Sequence, residues 1–122
     1  MVEPTFSFDT STVDAHEHEH GWLLKARGDL DLDSADKLYE GVASLAEHDA
    51  TLVVLDLTDV EFLDSTGLRA IVNAGDLLKK RGGRLIIDGM SGAAKRVLEI
   101  TSLLEHYSTD RRATDPDRSS EG

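Results

Sequence analysis

The sequence predicts an α/β fold, a mixed sheet of four or five strands with helices packed on it, in the order β-β-α-β-α-β-α. Three observations carry that expectation. Two short, nearly continuous aliphatic runs, residues 51–57 and 84–88, have the composition of strands covered on both faces. The segments after residues 34, 64 and 91 switch to apolar spacings of three and four, the period of an amphipathic helix. Helices of roughly 12 to 17 residues between such strands are long enough for right-handed crossovers, which make the joined strands parallel.

Taken in order, residues 5–13 alternate weakly and are rich in β-branched and aromatic side chains, the mark of a short edge strand. After a polar connection, Trp22 to Leu30 reads as a second strand, close enough to the first to form a hairpin. Ala35, Leu38, Val42 and Leu45 then fall on one helical face, with Asp33 as the expected N-cap, Asp36 at N3 and an end near His48. The strand over residues 51–57 should be central. Leu68, Ile71, Val72, Gly75 and Leu78 define a second amphipathic helix, closed by Lys79, Lys80 and Arg81 and stopped by Gly82 and Gly83. Arg84 to Asp88 is a further buried strand, Ser91 caps a third helix with Ala94, Val97 and Leu98 inward, and Leu103, Leu104 and Tyr107 belong to a last short packed element. One domain over residues 1–109 is expected, followed by a disordered tail over 110–122, which has one apolar residue and ample turn formers.

Composition narrows the function before any motif is considered. At 122 residues the chain has room for one core and not for two. It contains no cysteine, which excludes a disulfide framework, a thiol nucleophile and a thiolate zinc site. Thirteen basic residues against twenty-four acidic ones give a net charge of −11, adverse to a nucleic-acid or anionic-membrane partner. No run approaches the roughly 20 apolar residues that span a bilayer, and the N-terminus lacks a basic start followed by an apolar stretch, so the expected location is the cytoplasm.

The informative segment runs from Leu55 to Leu68, where Asp64-Ser65-Thr66-Gly67 joins the central strand to the second helix. It sets a carboxylate and two hydroxyls at the positive end of a helix dipole. The simplest reading is capping, with Asp64 or Ser65 accepting from a free helix N–H. Enzyme readings of the same residues fail on spacing. An aspartic protease needs Ser or Thr and then Gly directly after the Asp, whereas an extra residue separates Ser65 from Gly67, and the helical periodicity does not suit an all-β scaffold. A nucleophile elbow needs Gly where Leu63 stands, and a His base; His106, the one late histidine, has no evident route to Ser65. No P-loop run exists.

Val54-Leu-Asp-Leu-Thr-Asp-Val-Glu-Phe-Leu-Asp-Ser-Thr-Gly-Leu68 resembles the signature of STAS domains, the family of bacterial anti-sigma factor antagonists. Gly28-Asp-Leu-Asp31, followed by a helix, is similar to the family's Gly-x-Leu-Asp stretch, and residues 84–88 and 97–103 resemble it again, so the likeness covers about residues 20–107. The resemblance implies a protein switch with no catalytic residues and no cofactor. The serine matching Ser65 is phosphorylated by an anti-sigma factor that is also an ATP-dependent serine kinase. The unphosphorylated protein binds that kinase and frees the sigma factor, and a phosphoserine phosphatase resets the cycle. Asp64, Ser65, Thr66, Gly67, Arg69 and Asn73 are then expected in the kinase-docking surface, with Asp31, which matches a family acid, in support and Asp56 in a weaker version of that role. Thr66 departs from the serine found in many relatives and leaves open which hydroxyl accepts phosphate, although Ser65 follows the aspartate directly.

Bland readings stand beside these. Arg69, Asn73, Asp76 and Lys80 also fit a solvated helix face, and Asp31 fits a loop carboxylate. His16-Glu-His-Glu-His20 would turn three imidazoles one way if extended, but it has no fourth ligand at a set spacing and reads as a solvated hairpin loop rather than a metal site. The alternative functions are a STAS subunit of a stress-signalling or lipid-transport assembly and, last for want of a base, a small enzyme using Ser65 as nucleophile.

Overall fold

A computed structural model describes residues 6–13 and 20–101. Strand β1 (Phe6–Val13) runs antiparallel to β2 (Gly21–Leu30), with Phe6 opposite Gly28 and Val13 opposite Gly21, so the two form the expected hairpin. Strands β3 (Leu52–Leu63) and β4 (Arg84–Met90) continue the sheet in parallel, giving the order β1-β2-β3-β4. Helix α1 (Ala35–Glu47) links β2 to β3, α2 (Ser65–Lys80) links β3 to β4, and α3 (Gly92–Ile100) follows β4.

Alternation along the strands sorts the apolar side chains between two faces. Leu24 and Ala26 of β2, Val53, Leu55 and Leu57 of β3, and Leu85 and Ile87 of β4 enter one core with all three helices. Leu38, Val42 and Leu45 supply α1's part, Ile71, Ala74 and Leu78 that of α2, and Ala94 and Leu98 that of α3. The intervening Leu52, Val54 and Ile86 form a second, smaller cluster with Val13 and Leu23 on the other face. That two-sided burial is why residues 51–57 read as a continuous apolar run.

Two boundaries differ from expectation. Strand β3 extends six residues past Leu57, to Leu63. Two irregularities in its pairing with β2, at Lys25/Arg27 and at Gly28/Asp29, each place one extra residue in β3. With each bulge the inward position recurs after three residues instead of two, and Leu57, Val60 and Leu63 all reach the core. The first bulge is held by Asp56, whose Oδ1 accepts from the Thr58 amide (2.9 Å) and hydroxyl (2.6 Å).

The start of α1 also differs. Ser34, not Asp33, occupies the cap position, and its side chain does not bond the helix. The buried Ser34 hydroxyl accepts from the Asp31 amide (2.9 Å) and donates to the Asp29 carbonyl (2.7 Å), while the Asp31 carboxylate accepts from the Asp33 amide (3.0 Å). The serine wins because the tight turn from β2 into α1 needs an internal donor and acceptor more than the helix needs a cap. Helix α2 closes as expected, with Lys79 and Lys80 in its last turn and Gly82 at φ +81°, a left-handed conformation that favours glycine. Leu103, Leu104, Tyr107 and the 110–122 tail lie outside the described residues, as do His16 and His18.

Candidate functional site

The site is assembled where β2 and β3 end side by side. In register, Asp29 stands opposite Phe62 and Leu30 opposite Leu63. The chain then turns into α2 with Asp64 extended (φ −110°, ψ −175°), its amide donating to the Leu30 carbonyl at 3.3 Å. Asp64 Oδ1 accepts from the Gly67 amide at 2.9 Å, so the aspartate is the helix cap. Capping is thereby assigned to one of the two residues that the sequence left open.

Ser65 is left at the first helical position, exposed, with no hydrogen-bond partner for its hydroxyl among the described residues. Thr66, one residue on, is half-buried. Gly67 is buried, and a Cβ there would overlap the Leu30 carbonyl oxygen and lie 2.9 Å from Leu30 Cγ. Glycine therefore lets the first turn of α2 rest directly on the end of β2. That contact brings Asp31, the residue after Leu30, to the same corner of the molecule as Ser65. Asp31 is also committed locally, holding the turn into α1, so its bland reading describes part of what it does.

Arg69 and Asn73 are exposed on α2, and with Thr66 they line a shallow groove of about 220 Å³ whose other wall is Asp36 and Tyr39 of α1. The sequence places Asp36 in the first turn of α1 and gives Tyr39 no role. The available signal was Tyr39's place just off the apolar stripe of Ala35, Leu38 and Val42, where a large amphipathic ring has to find a surface. Asp56 lies within β3, where its Oδ1 accepts from the Thr58 amide and hydroxyl at the first bulge.

Among the described residues no side chain hydrogen-bonds the Ser65 hydroxyl, and no group of three His, Cys, Asp or Glu side chains is placed to hold a metal ion. Among the same residues no helix is long and apolar enough to cross a membrane. What the arrangement does offer is a free hydroxyl at a capped helix start, where the amides of the first turn have no intrahelical acceptor.

Known proteins resemble this chain in sequence and fold. The chain is 36% identical over 91 residues to an anti-sigma-B factor antagonist of Bacillus subtilis (strain 168), covering 75% of this chain and 83% of that protein. Its fold is similar to that of an anti-sigma factor antagonist from Mycobacterium paratuberculosis, with a TM-score of 0.69 at 22% identity, over 99% of this chain and 97% of the other. It is also similar in fold to the anti-sigma factor antagonist SpoIIAA in its unphosphorylated form, with a TM-score of 0.67 at 18% identity, over 93% and 97% of the two chains. The STAS domain family model matches residues 12–114. The chain belongs to the STAS domain family.

Proposed function

We propose that this protein is an anti-sigma factor antagonist of the cytoplasm, which binds an anti-sigma factor serine kinase and releases the sigma factor until Ser65 is phosphorylated. The observation that carries the reading is the division of labour at the start of α2, where Asp64 caps and Ser65 stays free and exposed. A kinase needs a hydroxyl it can reach, and a switch needs a modification that the fold survives. The exposure of Ser65 and its absence from the cap support both. The Asp64 to Gly67 hydrogen bond does not involve Ser65, so phosphorylation leaves the cap in place. The helix N-terminus accommodates the added charge through its free amides and dipole.

The effect falls instead on the partner surface. A phosphate adds about −1.5 to −2 charges, beside Asp64 and close to Asp31. Desolvating that dianion in a contact fitted to a neutral hydroxyl costs several kcal/mol, and each 1.4 kcal/mol is about a factor of ten in affinity. Phosphate acts by exclusion. The B. subtilis relative's name as an anti-sigma-B factor antagonist, and the naming of an unphosphorylated form of SpoIIAA, support the assignment. Thr66, Arg69, Asn73, Asp64, Gly67 and Asp31 form the docking surface in this reading, and a phosphoserine phosphatase restores the binding state.

The test uses purified protein with ATP and the anti-sigma factor kinase of the source organism. Intact-mass analysis should show one phosphate on the wild type and none on Ser65→Ala; equal phosphate on both would sink the phosphoacceptor assignment. In pull-downs Ser65→Ala should retain the kinase and Ser65→Asp should lose it. Equal retention would favour the alternative, a structural STAS subunit.

A further inference from the structure

We propose that Leu32 and Phe62 are the apolar anchors with which this surface grips its partner, and that the partner's complementary face is an apolar socket ringed by Lys or Arg. The inference rests on the reading of the chain as an anti-sigma factor antagonist and extends the docking surface to residues outside the Asp64–Asn73 segment. Three large apolar side chains are exposed among the described residues: Leu32 (73%), Phe62 (50%) and Ile100 (77%). Two of the three lie at the paired ends of β2 and β3. Phe62 lies opposite Asp29 in the sheet and three residues before Ser65, and Leu32 follows Asp31 in the turn that leaves β2. The Asp64 amide bonded to Leu30 and the contact of Gly67 with that same carbonyl hold the two segments together. Large exposed apolar side chains on the two segments that carry the proposed docking residues are the composition of an interface centre rather than of ordinary surface.

Charge selects the occupant. Residues 28–36 carry four acids and no Lys or Arg, and residues 56–66 carry the same. The nearest cations on β2 are already paired, Arg27 with Asp9 at 2.6 Å and Lys25 with Asp59 at 3.6 Å, and Lys37 and Arg69, just outside the two stretches, leave their acids in excess. A second copy of this chain would bring an equally acidic corner against the first, and an anionic bilayer would be repelled in the same way. A protein face with a basic rim is attracted, and the acids then steer its approach.

The experiment measures affinity for the anti-sigma factor kinase that binds wild type and not Ser65→Asp, using Leu32→Ser, Phe62→Ser, the double variant and Asp33→Lys. Asp33 is exposed and its side chain has no structural partner among the described residues, so the last variant tests the basic rim without touching the fold. Each serine variant should weaken binding about tenfold and the double about a hundredfold, with unchanged urea midpoints; Asp33→Lys should weaken it about threefold, through slower association. Wild-type affinity in all four variants, with Ser65→Asp still excluded, overturns this proposal and leaves the antagonist reading standing. A change in sedimentation of the free chain in the serine variants would show a self-interface and overturn it too. If wild type binds no anti-sigma factor kinase, both readings fall.

Discussion

Helices α2 and α3 begin with the same device and put it to different uses. At α3 the cap is Ser91, whose hydroxyl accepts from the Ala94 amide at 3.1 Å. At α2 the cap is Asp64, which makes the equivalent bond to Gly67 at 2.9 Å and leaves the serine one position later. Ser91 is consumed by the helix, whereas Ser65 is surplus to it. A serine at a helix start is thus no evidence of a modification site until something else is seen to cap. The third residue of each helix differs as well, alanine in α3 and glycine in α2, because only α2 is laid against a strand-end carbonyl.

The largest expected effect comes from erasing that last difference. Gly67→Ala places a methyl group into the Leu30 carbonyl, and α2 must lift from β2 or the strand end must shift. Overpacking of this kind costs about 1 to 3 kcal/mol, seen as a lowered urea midpoint followed by circular dichroism. Binding of the anti-sigma factor kinase should fall with it, since Asp31 and Ser65 are held together through this contact. An unchanged midpoint would mean that the close approach is soft and that the corner is not a rigid unit.

The same comparison explains how far the sequence could be read. Element order, the hairpin, the parallel strands and the Asp64 to Gly67 helix start are legible because each rests on a local period or on a short cap motif. The last six residues of β3 were not, since Thr58, Asp59, Glu61 and Phe62 break the two-residue period and only the bulged pairing with β2 shows that Val60 and Leu63 face inward. Asp33 looked like a cap for α1 because cap propensity is a local property, while Ser34 was recruited by a turn whose donors and acceptors come from Asp29 and Asp31. Leu32 and Phe62 were invisible as surface residues for a related reason. An apolar letter counts toward the core until the end of the sheet shows that nothing among the described residues covers it.

Next in size are the two caps themselves. Asp64→Ala and Ser91→Ala should each cost about 1 kcal/mol, because each removes one side-chain acceptor from one helix amide. The pair sharpens the comparison through a second readout. Asp64→Ala should also slow phosphorylation of Ser65, since the turn presenting the hydroxyl frays, while Ser91→Ala should leave the rate of phosphate incorporation unchanged. If Ser91→Ala slowed it equally, helix α3 would be part of the kinase footprint and the two helix starts would not be functionally distinct.

The smallest stability effect belongs to the proposed phosphoacceptor. Ser65→Ala removes an exposed hydroxyl with no partner among the described residues, from a position where the helix neither needs an acceptor nor gains much from a different propensity. Its urea midpoint should therefore correspond to a change within about 0.5 kcal/mol, against about 1 kcal/mol for Ser91→Ala. The contrast is decisive because the two substitutions are chemically identical and both lie at helix starts. A Ser65→Ala loss as large as that of Ser91→Ala would mean that Ser65 shares the capping load with Asp64. Phosphorylation would then have to break a bond of the fold before it could act on the surface, and exclusion of the partner would no longer be separable from loosening of α2.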